Sequence, residues 1–143
     1  MRELDERAIE LLSRPLIGQL GYVGLDGYPK VIPTWFLLAD GEIQVASPPN
    51  AYKSRSLVRH PRAVLTVSTG EYPYQVASAS GTATVQVLEE PRRIEVVRRL
   101  AGRYLTPEQA EDYVGRWSKG GSPGDGDLIR LHIERVRFTD TRL

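Results

Sequence analysis

Apolar and polar positions along the chain change their spacing several times. Over residues 3–13, Leu4, Ala8, Leu11 and Leu12 recur at helical spacing, with Glu3, Asp5 and Glu6 near the positive N-terminal end. Pro15 ends that pattern. From residue 16 to 47 the period becomes that of strands. Residues 16–23 predict one strand, residues 30–39 a second interrupted by Pro33, and residues 42–47 a third. Asp26-Gly27 and Asp40-Gly41 lie between them as tight-turn signals, because both residue types tolerate positive backbone angles. Pro48-Pro49-Asn50 breaks the meander, and residues 51–58 predict a short helix stopped by His60-Pro61.

The second half repeats this alternation. Residues 63–69 form a β-branched strand. Residues 74–88 alternate strictly, with Ser78, Ser80, Thr82 and Thr84 on one face and Ala77, Ala79, Ala83 and Val85 on the other. Ile94, Val97, Ala101 and Tyr104 then line one helix. Thr106-Pro107-Glu108-Gln109 opens another, with a capping Thr, Pro at the first helical position and Gln three residues after the cap. Ala110, Tyr113, Val114 and Trp117 form its apolar stripe, residues 120–126 a flexible loop, and residues 127–138 a closing strand. Six strands with short hairpins predict an α+β chain, mainly antiparallel β: a small barrel or sandwich with peripheral helices, in one domain spanning residues 1–143.

Composition removes several chemistries. The chain has 143 residues and a formal net charge of +1, from 19 basic and 18 acidic residues, which argues against a nucleic-acid partner. The absence of cysteine excludes disulfides, thiol nucleophiles and cysteine-held metals, and two histidines leave little for a metal site, so none is assigned. The charged N-terminus lacks the apolar run of a signal peptide, and no stretch approaches a membrane helix; a cytoplasmic protein without membrane contact is expected.

Two clusters can carry chemistry. In Pro33-Thr34-Trp35-Phe36 a proline that cannot donate to a ladder marks an edge or bulge, where free backbone groups could meet the polar rim of a planar ring walled by Trp35. An ordinary edge strand with core aromatics gives the same letters. In the second, Ser47 ends a strand and Lys53, Ser54, Arg55 and Ser56 open a helix. Unpaired N–H groups and the dipole there attract phosphate, although a solvated charge cluster is the plainer reading. Asp125-Gly126-Asp127 is too sparse for a calcium loop, and no acid, base or nucleophile stands out as catalytic.

Taken in order, three blocks resemble the pyridoxamine 5′-phosphate oxidase-like split β-barrels, in the branch of flavin- and deazaflavin-dependent oxidoreductases. They are residues 24–36, residues 46–67 with Ser47, Lys53-Ser54-Arg55-Ser56-Leu57 and Pro61-Arg62, and Tyr72-Pro73-Tyr74 leading to Gly81-Thr82-Ala83. The resemblance implies a six-stranded split barrel and a homodimer with cofactor sites at its interface. FMN or the deazaflavin coenzyme F-420 would pass a hydride to or from a small organic substrate. It implies Ile32, Pro33, Thr34 and Trp35 along the ring, Ser47, Lys53 and Arg55 at the phosphate, and Tyr72 and Tyr74 from the partner subunit. Ser56 stands where the family usually has Asn. A non-catalytic flavin- or haem-binding barrel, a carrier or sensor, is the alternative.

Overall fold

The computed structural model describes residues 5–119 and 126–142, and for residues 117–119 the backbone alone. The expected contribution of Glu3 and Leu4 to the first helix, the Trp117 side chain and residues 120–125 of the expected loop lie outside the described residues.

The chain runs α1 (Glu6–Leu12), β1 (Gly18–Val23), β2 (Pro29–Thr34), β3 (Leu37–Ala39), β4 (Glu42–Ser47), α2 (Tyr52–Arg59), β5 (Arg62–Ser68), β6 (Gln75–Leu88), α3 (Arg92–Tyr104), α4 (Pro107–Lys119) and β7 (Gly126–Asp140). The strands form one antiparallel sheet in the order β2-β1-β5-β6-β7-β4-β3. Its two edges, β2 and β3, are consecutive in sequence and joined only by Trp35 and Phe36. Three residue steps reach about 11 Å at most, so the sheet must curl until its edges nearly meet. The result is a split barrel, and the fully buried Phe36 ring sits at the split.

Seven strands replace the expected six because the run 30–39 breaks at Trp35-Phe36 rather than at Pro33. Pro33 lies inside β2, opposite Gln19, in a register that passes through it without a shift. Its missing N–H is tolerated because β2 is an edge strand.

Alternation along each strand fills the barrel. Leu20, Ile43, Val45, Leu65, Val67, Ala77, Ala79, Leu131 and Ile133 point inward, while Ala8, Leu11 and Leu12 of α1 join the same core. Leu57 of α2 also packs there. The two Asp-Gly turns differ. Asp40 and Gly41 both take positive φ (53° and 74°) in a two-residue hairpin. At 24–28 only Gly27 does, because Asp26 instead accepts the Tyr28 N–H (3.1 Å) and pairs with Lys30 (2.9 Å). Between β6 and β7 the register shifts after Ser80, leaving Glu134 as an extra residue on β7. A Cβ at Gly81 would lie 1.8 Å from the His132 carbonyl oxygen, so only glycine fits.

The α3–α4 pair docks through Val97, Leu100, Ala101, Ala110 and Val114. Thr106 and Gln109 exchange side-chain-to-backbone bonds (3.1 and 3.2 Å), forming the reciprocal cap expected from the sequence.

Candidate cofactor site

The site begins where β4 ends. Ser47 is buried, and Pro48-Pro49 follow with no N–H to extend the ladder. Asn50 turns the chain at φ 55°, and its N–H is held by Asp127 Oδ2 at 2.9 Å. α2 then starts on Ala51, which offers no side-chain cap, so the first-turn N–H groups have no side-chain partner. Beside them the buried Ser54 hydroxyl donates to Ser47 Oγ (3.4 Å), and Ser47 Oγ donates to the Pro48 carbonyl (3.0 Å).

Lys53 lies in this first turn. It is half-buried, and its side chain has no hydrogen bond or ion pair among the described residues. Burial alone holds its ammonium pKa below the usual lysine range. A cation withdrawn from water without a counter-ion, next to unsatisfied helix N–H groups, is an arrangement that an anion completes. Arg55 is exposed; its Nε donates to the Asn50 carbonyl at 3.2 Å, and its guanidinium lies 5.7 Å from the Tyr52 ring. Ser56 is fully buried and its hydroxyl has no partner among the described residues, so it is not on the solvent-facing side of α2.

The second cluster centres on Trp35. Its indole stacks on Tyr104 (ring centroids 5.1 Å apart, 5° between planes) and meets Tyr113 at a tilt (5.0 Å, 49°). Tyr104 also clasps the crossover. Its hydroxyl accepts the Phe36 N–H at 3.1 Å and lies 3.0 Å from the Leu16 carbonyl and 3.2 Å from that of Phe36, either of which its single proton can serve. Burial pushes the Tyr104 pKa up, partly offset by the Phe36 N–H.

A cavity of about 240 Å³ connects parts of the two clusters. Thr34, Trp35, Ser47 and Pro48 line its barrel side, and α3 and α4 cover it. The other expected residues lie elsewhere. Ile32 packs against the barrel core, and Pro33 joins Ile17, Thr34 and Trp35 around a shallow outer depression. Lys53, Arg55 and Ser56 do not line the 240 Å³ cavity. Tyr72 and Tyr74 sit on the β5–β6 connection, exposed, with centroids 6.0 Å apart at 84°. Sequence reasoning missed three residues at the cavity. Arg93, buried and paired with Glu90 at 2.9 Å, carries no sequence signal; Asp127 suggests only a cation ligand, and the spacing of Tyr113 suggests only a core position. Among the described residues no cluster of three or more acidic or histidine side chains could hold a metal.

A family model described as pyridoxamine 5′-phosphate oxidase matches residues 4–140. The chain belongs to the pyridoxamine 5′-phosphate oxidase family. Solved structures share the family's fold. An F420 reductase aligns with a TM-score of 0.74 at 22% identity, covering 94% of this chain and 98% of that one. A conserved hypothetical protein from Mycobacterium tuberculosis aligns at 0.69 and 24%, covering 98% and 87%. A haem-binding protein from Mycobacterium smegmatis aligns at 0.64 and 17%, covering 97% of this chain and 55% of that one. At these identities the likeness is one of fold. No curated protein sequence matches the chain. Among the described residues no helix of this family member is long and apolar enough to cross a membrane.

Proposed function

We propose that this chain is a flavin- or deazaflavin-dependent oxidoreductase acting on a small organic substrate. The observation that carries the proposal is Lys53, a half-buried cation without a partner among the described residues, in the first turn of a helix without a side-chain cap. A phosphate satisfies both, with Ser47 and Ser54 adding hydroxyls and Arg55 a second charge. Edge strand β2 offers main-chain groups not used by the sheet along residues 32–34, which suits the polar rim of a tricyclic ring. Such a ring, FMN or coenzyme F-420, supplies two-electron hydride chemistry when bound; the protein's part is position and electrostatics.

A homodimer completes this reading. Ile17, Val31, Tyr72 and Tyr74 are large apolar side chains left exposed on one copy, Val31 by 68% and Tyr72 by 71%. A second copy would cover them and bring its Tyr72 and Tyr74 toward the ring.

Titration of the purified protein with FMN and with F-420, followed by fluorescence, tests the proposal. Replacing Lys53 by Ala removes one charge-assisted bond of about 1.5–3 kcal/mol, so affinity falls roughly 10- to 150-fold. Unchanged affinity would remove Lys53 from the site. The second reading, a flavin- or haem-binding barrel without turnover, is favoured by the haem-binding structural neighbour. A haem absorption band on reconstitution, or tight cofactor binding with no steady-state oxidation of a reductant, would establish it.

A further inference from the structure

The cavity over Trp35 has an unusual combination of size and lining. At about 240 Å³ it holds some eight waters' worth of volume at ~30 Å³ each. It opens to solvent on one side and is mostly apolar within, which is the character of a small-molecule pocket. Water would find few partners along most of this wall, where Val96, Leu100 and the rings of Trp35 and Tyr113 face one another. Trp35 is also held rigid: Tyr104 stacks on it, and Tyr104 is tied to the crossover. A fixed indole and a tilted phenol favour a flat ring.

The charged side chains of the lining gather in one corner. There Ser47, Asp127 and the Arg93 side chain meet. Asp127 uses Oδ2 for the Asn50 N–H, and no other bond to its carboxylate is made among the described residues. A charged head group would lose hydration against this mostly apolar wall, so a neutral polar group suits the cavity better.

We propose that this cavity is the pocket for the organic partner of the proposed chemistry. It takes a neutral, flat, largely apolar molecule of one or two rings, with its hydroxyl or N–H turned toward Asp127. The proposal rests on the oxidoreductase reading for its role, and on the cavity alone for its ligand class.

The probe is 2-naphthol, with decahydro-2-naphthol as a puckered control of the same connectivity. Saturable binding of 2-naphthol is expected, with intermolecular nuclear Overhauser contacts to the Trp35 indole and Val96 methyls. The control should bind about tenfold or more weakly. Val96, partly exposed, can be enlarged to Phe at modest folding risk, and Val96→Phe should weaken 2-naphthol by about tenfold or more while leaving the FMN and F-420 titrations unchanged. Lys53→Ala should do the reverse. Absent saturation, contacts to other residues, equal binding of the control, or full affinity in Val96→Phe each overturn the pocket; the contacts in the unaltered protein decide it even if that variant fails to fold. If 2-naphthol binds at Trp35 but neither cofactor binds, the oxidoreductase reading fails and the ligand class stands.

Discussion

Removing the Tyr104 hydroxyl is the most direct test of how the crossover is held. Tyr104→Phe keeps the ring stacked on Trp35 at 5.1 Å but deletes an acceptor for the Phe36 N–H (3.1 Å) and a donor to the Leu16 or Phe36 carbonyl (3.0 and 3.2 Å). Two net hydrogen bonds at about 0.5–1.5 kcal/mol each give a loss of roughly 1–3 kcal/mol, or a Tm lower by roughly 3–10 °C for a chain of this size. Circular dichroism melts measure the loss, and hydrogen exchange at the Phe36 amide locates it, since that proton should become the most affected in the protein. A second signature is the response to alkali. The folded Tyr104 pKa lies above its ordinary value of 10.0, so its contribution is complete below that value and is lost as pH rises through the folded pKa. Tyr104→Phe abolishes this part of the alkaline loss. A Tm within about 1 °C of the parent, together with a Phe36 amide as protected as before, would refute the clasp.

Other substitutions probe separate features. Gly81→Ala forces a Cβ against the His132 carbonyl and should cost about 2–4 kcal/mol in urea unfolding. Lys53→Met should raise the Tm of the cofactor-free protein while weakening cofactor binding. Because its folded pKa is depressed, the charged Lys53 costs stability at neutral pH and returns it as pH rises toward 10.5, a rise that melts of the variant should lack. Glu42 is nearly buried, and although burial raises its pKa, bonds from Arg130 (2.8 Å) and Gln44 (2.9 Å) outweigh that and hold it low. Its contribution is therefore present above pH 4.5 and lost as pH falls through the lowered folded value, and Glu42→Gln should flatten the acid limb and cost about 1–3 kcal/mol at pH 7.

Local chemistry was legible where the responsible residues are neighbours. Asp40-Gly41 and the Thr106–Gln109 cap follow from two to four adjacent letters. Asp26-Gly27 looks like the first of these, yet the Asp26 side chain found better partners in Tyr28 and Lys30, which a dipeptide rule does not weigh. The break at Trp35-Phe36 was not legible, because along residues 30–39 only Pro33 signals an interruption. It exists only because the sheet closes on itself. At the site, Ser47 and Lys53 stood out through helix-start chemistry and family resemblance. Tyr104 as a clasp did not, since it acts on Phe36 from 68 positions away, and periodicity reports a core face without saying what a side chain's polar tip will reach. Arg93 gave no warning either: a buried arginine in an otherwise ordinary amphipathic helix has no local signature.

The two-residue link between β2 and β3 acts as a spacer gauge for the whole molecule. It bridges opposite margins of the sheet, so its length fixes how wide the seam can stand. An added residue in the 24–28 turn only lengthens a surface excursion, because that turn joins strands already side by side. The same addition beside Trp35 would let the margins drift apart and rotate the indole off its stacking partner, altering barrel girth and ligand pocket together. Length variation among folded versions of this chain should therefore gather at the turns and spare this dipeptide.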